Sequence, residues 1–196
     1  MKTQRINLQK VFVTLLVTLL FATSCKGQKE AEQEESPSVS KASIKPPQVD
    51  IHTAVITGNS EALEQHIAAG SNLNEKDPFG GSSPLISAAV FGKPEMAKTL
   101  IDAGADLDFQ NNDGSTALHT AAFFCRPEIV KMLLDKGADK TIKNKYSATP
   151  YESVIGPFSE VKDAYNMMGT MLKPMGLKLD YEYIQKTRPE IAEMLK

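Results

Sequence analysis

Gly81-Ser82-Ser83-Pro84-Leu85 recurs 33 residues later as Gly114-Ser115-Thr116-Ala117-Leu118, and Ala103-Gly104-Ala105-Asp106 recurs at the same interval as Lys136-Gly137-Ala138-Asp139. A fixed period of this length means stacked supersecondary units. No unit buries its apolar face alone, and stacking such units builds recognition surfaces more readily than reaction centres.

Each period opens with a short apolar segment (Leu85, Ala88, Ala89; Leu118, Ala121, Ala122) whose three- and four-residue steps place small side chains on one helical face. Alanine at those positions lets neighbouring helices approach closely. A second segment follows, Glu95–Ile101 in one copy and Glu128–Leu134 in the next, each preceded by proline (Pro94, Pro127). Proline in a first helical turn forfeits no hydrogen bond, and glutamate suits the positive end of the helix. Gly104 and Gly137 then stop the second helix, and a loop rich in Asp and Asn leads to the next unit. The expected unit is helix, turn, helix, extended loop.

On those residues the chain resembles the ankyrin repeat family, whose units carry a T-P-L-H-x-A-A helix, a V-x-x-L-L helix and G-A-D ahead of a hairpin-like finger. Thr116-Ala117-Leu118-His119-Thr120-Ala121-Ala122 is the nearest local match. The resemblance implies an all-α solenoid of about four to five repeats over 49–196, with units near 50–80, 81–113, 114–146 and a degenerate, capping 147–196. The first unit is one residue longer, and the extra residue is expected between Lys76 and Gly81. The Gly156-Pro157 pair falls where the first helix of the fourth unit should finish, and Arg188–Leu195 echoes Arg126–Leu133 as the second helix of a final repeat.

The front of the chain has a different character. Lys2, Arg5 and Lys10 precede an apolar run from Val11 to Ala22, which reads as a secretion signal over residues 1–24 and is too short for a membrane span. Ala22-Thr23-Ser24-Cys25 resembles the lipobox of bacterial lipoproteins, implying lipidation at Cys25 and an outer-membrane location facing the periplasm or the medium. The alternative is ordinary signal cleavage after Ser24. Residues 25–48 are nearly free of apolar side chains and read as a solvated tether, spanning on the order of 25 Å.

Without residues 1–24 the chain keeps 19 basic against 24 acidic residues, a net charge of −5 that argues against a nucleic-acid partner. If Cys25 carries lipid, Cys125 has no intramolecular partner. It stands where the other units have Gly58 and Gly92, either as a reactive thiol or as a small buried hydrophobe. His52 and His119 occupy one repeat position and His66 another, with no acid or thiol at ligand spacing, so neither a metal nor a catalytic centre is expected, and no cofactor. Met167, Met168, Met171 and Met175 raise copper(I) binding, against the simpler reading that thioethers fill an irregular cap.

The family resemblance places partner contacts on finger and first-helix positions: Phe79, Ser82, Val90 and Phe91, then Asn112, Asp113, Ser115, Phe123 and Phe124. Apolar anchors within a polar rim are how protein interfaces gain affinity; the alternative is that one Phe of each pair packs inward. The expected function is partner binding by an envelope-anchored protein, as a scaffold or regulator, or as an inhibitor or immunity protein against a toxin or hydrolase.

Overall fold

The computed structural model describes residues 45–196. The signal segment, Cys25 and most of the tether lie outside the described residues.

The first unit holds α1 (Ile51–Thr57) and α2 (Ser60–Ala68), the second α3 (Pro84–Phe91) and α4 (Pro94–Asp102), the third α5 (Ala117–Phe123) and α6 (Pro127–Asp135). Their starts follow from local chemistry. Asp50, Asn59, Ser83 and Thr116 each accept a backbone N–H from the first turn of their helices, whereas α4 and α6 begin on Pro94 and Pro127 without a side-chain cap. First helices stack on first helices and α4 on α6, so Leu85, Ala88, Ala89, Leu118, Ala121 and Ala122 are all fully buried. The alanine rows set how closely the layers approach. Among the described residues there is no β-strand.

Residues 147–196 form one further unit with an insertion. Gly156-Pro157 ends α7 (Glu152–Ile155) after a single turn, and the chain leaves the stack through α8 (Phe158–Leu172) and a 3-10 turn (Lys173–Met175). It returns as α9 (Tyr181–Leu195). α7 packs on α5, while α9 packs on α6 and α7. The echo of Arg126–Leu133 in Arg188–Leu195 is thus the second helix of the unit that opens at Ser147. α9 differs from α4 and α6 in running eight residues ahead of its proline, so that Pro189 lies within the helix.

One cationic position repeats through the second, third and fourth units and explains how the insertion is held. Lys93, Arg126 and Arg188 each precede the proline of a second helix. Lys93 reaches the turn at Gly58, and Arg126 Nη2 donates to Val90 O at 3.2 Å, with its guanidinium so close over Gly92 that an added Cβ would meet Cζ at 2.9 Å. A cation there faces the carbonyl end of a helix, where the dipole favours it. The equivalent acceptor for Arg188 is Phe123 O, 33 residues after Val90 O.

Arg188 does not bond it directly. The Tyr165 hydroxyl, from α8, donates to Phe123 O and accepts from Arg188 Nη1 at 3.2 Å, while Nη2 donates to Gly156 O at 3.0 Å. The fully buried Tyr165 ring stacks on Phe123 and Phe158, with centroids 4.3 and 5.6 Å apart, and meets Phe124 edge-on. Burial pushes the Tyr165 phenol up to about 12, the Arg188 charge pulling against it, so it remains a donor at neutral pH.

Cys125 occupies the left-handed turn residue taken by Gly58 and Gly92, with φ 53° against 75° and 60°. A side chain in that region costs about 1 kcal/mol. Here the side chain is fully buried, its thiol donating to Ile184 O at 3.6 Å, which settles the choice in favour of the small hydrophobe. Burial pushes the thiol up to about 11. Cys125 in the folded protein is therefore expected to react with a disulfide reagent such as Ellman's at least roughly 100-fold more slowly than after unfolding in urea. Equal rates would mean that the turn opens freely.

Candidate protein-binding face

Three loops project from the stack as fingers, each built around one Asx residue. Asp77 accepts N–H bonds from Phe79, Gly80 and Ser82 at 2.7–2.8 Å. Asn111 accepts from Asp113 and Ser115, and Asn144 from Tyr146 and Ala148. Asp77 to Ser82 is five steps where Asn111 to Ser115 and Asn144 to Ala148 are four, which locates the extra residue of the first unit in the finger expected to hold it. Burial raises the Asp77 carboxyl, but the N–H groups of Gly80, Phe79 and Ser82 outweigh this and hold it below the usual range. That carboxylate stays ionised at neutral pH and fixes the loop.

Neighbouring fingers are bonded edge to edge. Asn112 N donates to Gly80 O and Lys145 N to Asp113 O, so the fingers are tied into one ledge without strand geometry. Below it, Asp106 N donates to Asn74 Oδ1 and Asp139 N to Asp108 Oδ1, repeating the link at each step.

The turn residue after each fingertip has positive φ: Gly81 at 65°, Gly114 at 73° and Ser147 at 61°. Serine there is exposed and carries the left-handed penalty without packing in return. Ser147→Gly is expected to stabilise the domain by about 1 kcal/mol, read as a higher urea midpoint.

The histidines serve this scaffold. His52 Nε2 bonds Glu75 O at 3.0 Å and Nδ1 meets Ser87 Oγ at 3.2 Å; His66 bridges Val49 O and Ser71 Oγ. His119 Nδ1 accepts from Thr116 N, while Nε2 donates to Ala148 O of the next finger at 3.0 Å. This pairing requires the neutral imidazole protonated on Nε2.

Burial depresses the His119 pKa, against the opposing pull of the Ala148 carbonyl. The unfolded chain therefore binds more protons near and below pH 6.5, and stability falls as pH drops through that range. The urea midpoint is expected to be lower at pH 5.5 than at pH 7.5, with the difference reduced in His119→Gln. An unchanged difference would remove His119 as its source.

The residues expected to meet a partner divide into two groups. Phe79 is 85% exposed at the first fingertip, Asn112 and Asp113 are exposed at the second, and Ser82 and Ser115 are half-buried behind them, Ser115 Oγ accepting from Asn144 Nδ2. Val90 and Phe91 are half-buried at the far end of α3. Of the pair Phe123 and Phe124 the structure takes the alternative in which one ring packs inward, which corrects the expected partner contact at Phe124. Phe124 is 1% exposed, packing inward edge-to-face on Phe123, and Phe123 lies half-buried beneath Tyr165, because the insertion covers this end of α5.

Tyr146, 74% exposed at the third fingertip, was not expected. The Asx register could have shown it, since Tyr146 follows Asn144 by two residues as Phe79 follows Asp77 and Asp113 follows Asn111. The ledge thus presents two aromatic side chains on either side of a polar centre. Among the described residues, no group of three or more His, Cys, Asp or Glu side chains is placed to hold a metal ion.

Comparison with known proteins agrees with this geometry. The family model described as Ankyrin repeats (3 copies) matches residues 51–144. Those residues are ankyrin repeats. Human protein phosphatase 1 regulatory subunit 27 is 38% identical over 64 residues, covering 33% of this chain and 41% of that protein. The human DNA-binding protein RFXANK is 36% identical over 58 residues, covering 30% and 22%. Among solved structures, the ankyrin repeat domain of Bcl-3 superposes with a TM-score of 0.51 at 32% identity, over 53% of this chain and 45% of that one. The chain spans less than half the length of the curated relatives it matches. The insertion at 156–180 lies beyond the family match.

Proposed function

We propose that this is an envelope-anchored ankyrin repeat protein that binds and regulates another protein through its finger ledge. The observation that carries the reading is the pair of exposed aromatic side chains, Phe79 and Tyr146, set on fingers already fixed by Asx turns and inter-finger bonds. A pre-ordered ledge loses little loop entropy on binding, and aromatic anchors inside a polar surround are the usual origin of affinity. Regulatory subunits of a phosphatase are among the relatives, which supports a non-catalytic role in controlling a partner. The anchor rests on Cys25 and the small residues before it.

The test is crosslinking of the tagged chain in native cells, followed by mass spectrometry, beside Cys25→Ala and Phe79→Asp versions. One dominant envelope protein, lost with either change, is the expected result. Capture that is indifferent to both would sink the reading.

A further inference from the structure

The insertion that brings Tyr165 onto Phe123 also leaves an open cleft between α7 and α9. It measures about 380 Å³ and is walled by Tyr151, Ile155, Phe158, Pro189 and Ala192, with Arg188 among its lining residues. Arg188 is 4% exposed. Its two hydrogen bonds go to neutral oxygens, Tyr165 Oη and Gly156 O, and no carboxylate lies within 4.0 Å of it among the described residues. A guanidinium has five N–H donors, and two neutral oxygens with a helix carbonyl end compensate a buried cation less fully than an anion does. Glu193 and Lys196, also on the lining, pair side chain to side chain at 2.5 Å.

We infer that this pocket binds a small organic acid: one carboxylate facing Arg188, on an apolar body held by the aromatic and aliphatic walls. A single buried guanidinium matches a single negative charge in bidentate geometry, whereas a phosphate dianion would ask for a second free cation. The volume is at the small end of ligand pockets. An acid of about a dozen heavy atoms fits it, with affinity in roughly the millimolar range or tighter.

The probe is 3-phenylpropionate, titrated calorimetrically into the full chain beside its uncharged counterpart 3-phenylpropan-1-ol. The acid is expected to bind at least tenfold more tightly than the alcohol. Gln185 also lines the cavity, one turn before Arg188 on α9. Gln185→Glu supplies an internal anion while leaving Arg188 in place, and is expected to weaken the acid at least tenfold with the circular dichroism unchanged. Arg188→Gln should abolish binding, a result to be read only if that variant folds.

Equal affinity for acid and alcohol, no acid binding up to about 10 mM, or an acid affinity untouched by Gln185→Glu overturns the inference. Binding of the peptide Ala-Ala-Phe without binding of 3-phenylpropionate would give the pocket to a protein C-terminus instead and overturn the small-acid reading. Inorganic phosphate competing on equal terms would overturn the carboxylate assignment.

Discussion

Tyr165→Ala is expected to cost roughly 3–5 kcal/mol of stability, measured by urea unfolding, because it empties a fully buried aromatic site shared by three other rings. The loss should be uneven. α8 has no other fully buried side chain, so without Tyr165 the insertion is expected to release from the stack before the repeats unfold, and a protease should cut within residues 157–180 under conditions where α1 to α6 remain intact. Tyr165→Phe separates the ring from the hydroxyl. It keeps the stacking and removes the hydroxyl that bridges Arg188 Nη1 to Phe123 O, leaving both groups short of a partner at about 1–3 kcal/mol. If Tyr165→Ala were to cost less than about 1 kcal/mol, the insertion would not be part of the cooperative unit and the hydroxyl-bridge account of Arg188 would fail.

How much of this was legible follows from where the repeat rule applies. Small residues at three- and four-residue steps, proline at the start of α4 and α6 and glycine after each second helix gave the element order through Asp135, because the units repeat much the same local chemistry and stack only one way. The fourth unit was harder to read for a physical reason. Its two helices are separated by residues 156–180, so contacts that are local in the other units are distant in sequence, and the period is broken even though Arg188-Pro189-Glu190-Ile191 retains the pattern.

Which of Phe123 and Phe124 packs inward was unreadable for the same reason. In an unmodified array the far end of α5 is open to solvent, as Val90 and Phe91 partly are, and nothing within the repeat signals that Tyr165, some 40 residues onward, closes it. Position 125 is related: glycine gives way to a fully buried cysteine in the one unit whose inter-helix turn lies under α9. Tyr146 went unseen because an aromatic in a polar loop gives no periodic signal. Aligning the fingers on Asp77, Asn111 and Asn144 reveals it.

These placements turn two similar substitutions into opposite experiments. Phe124→Asp puts a carboxylate where the native side chain is 1% exposed, against Phe123 and Tyr165, with its hydrogen-bonding capacity unmet. Lost apolar packing and a buried charge act together, so the expected cost exceeds about 4 kcal/mol, enough to unfold much of the protein at 25 °C. Its failure to capture a partner would say nothing about the binding face. Phe79→Asp with Tyr146→Asp changes side chains that are 85% and 74% exposed, on backbones held by Asp77 and Asn144, and should shift the urea midpoint by less than about 0.5 kcal/mol. If the finger ledge is the docking surface, removing two aromatic anchors weakens partner capture at least tenfold, since anchors of this kind each contribute about 2 kcal/mol or more. Full capture by a folded Phe79→Asp/Tyr146→Asp protein would move the partner away from the fingers, to the half-exposed Val90 and Phe91 or to the insertion.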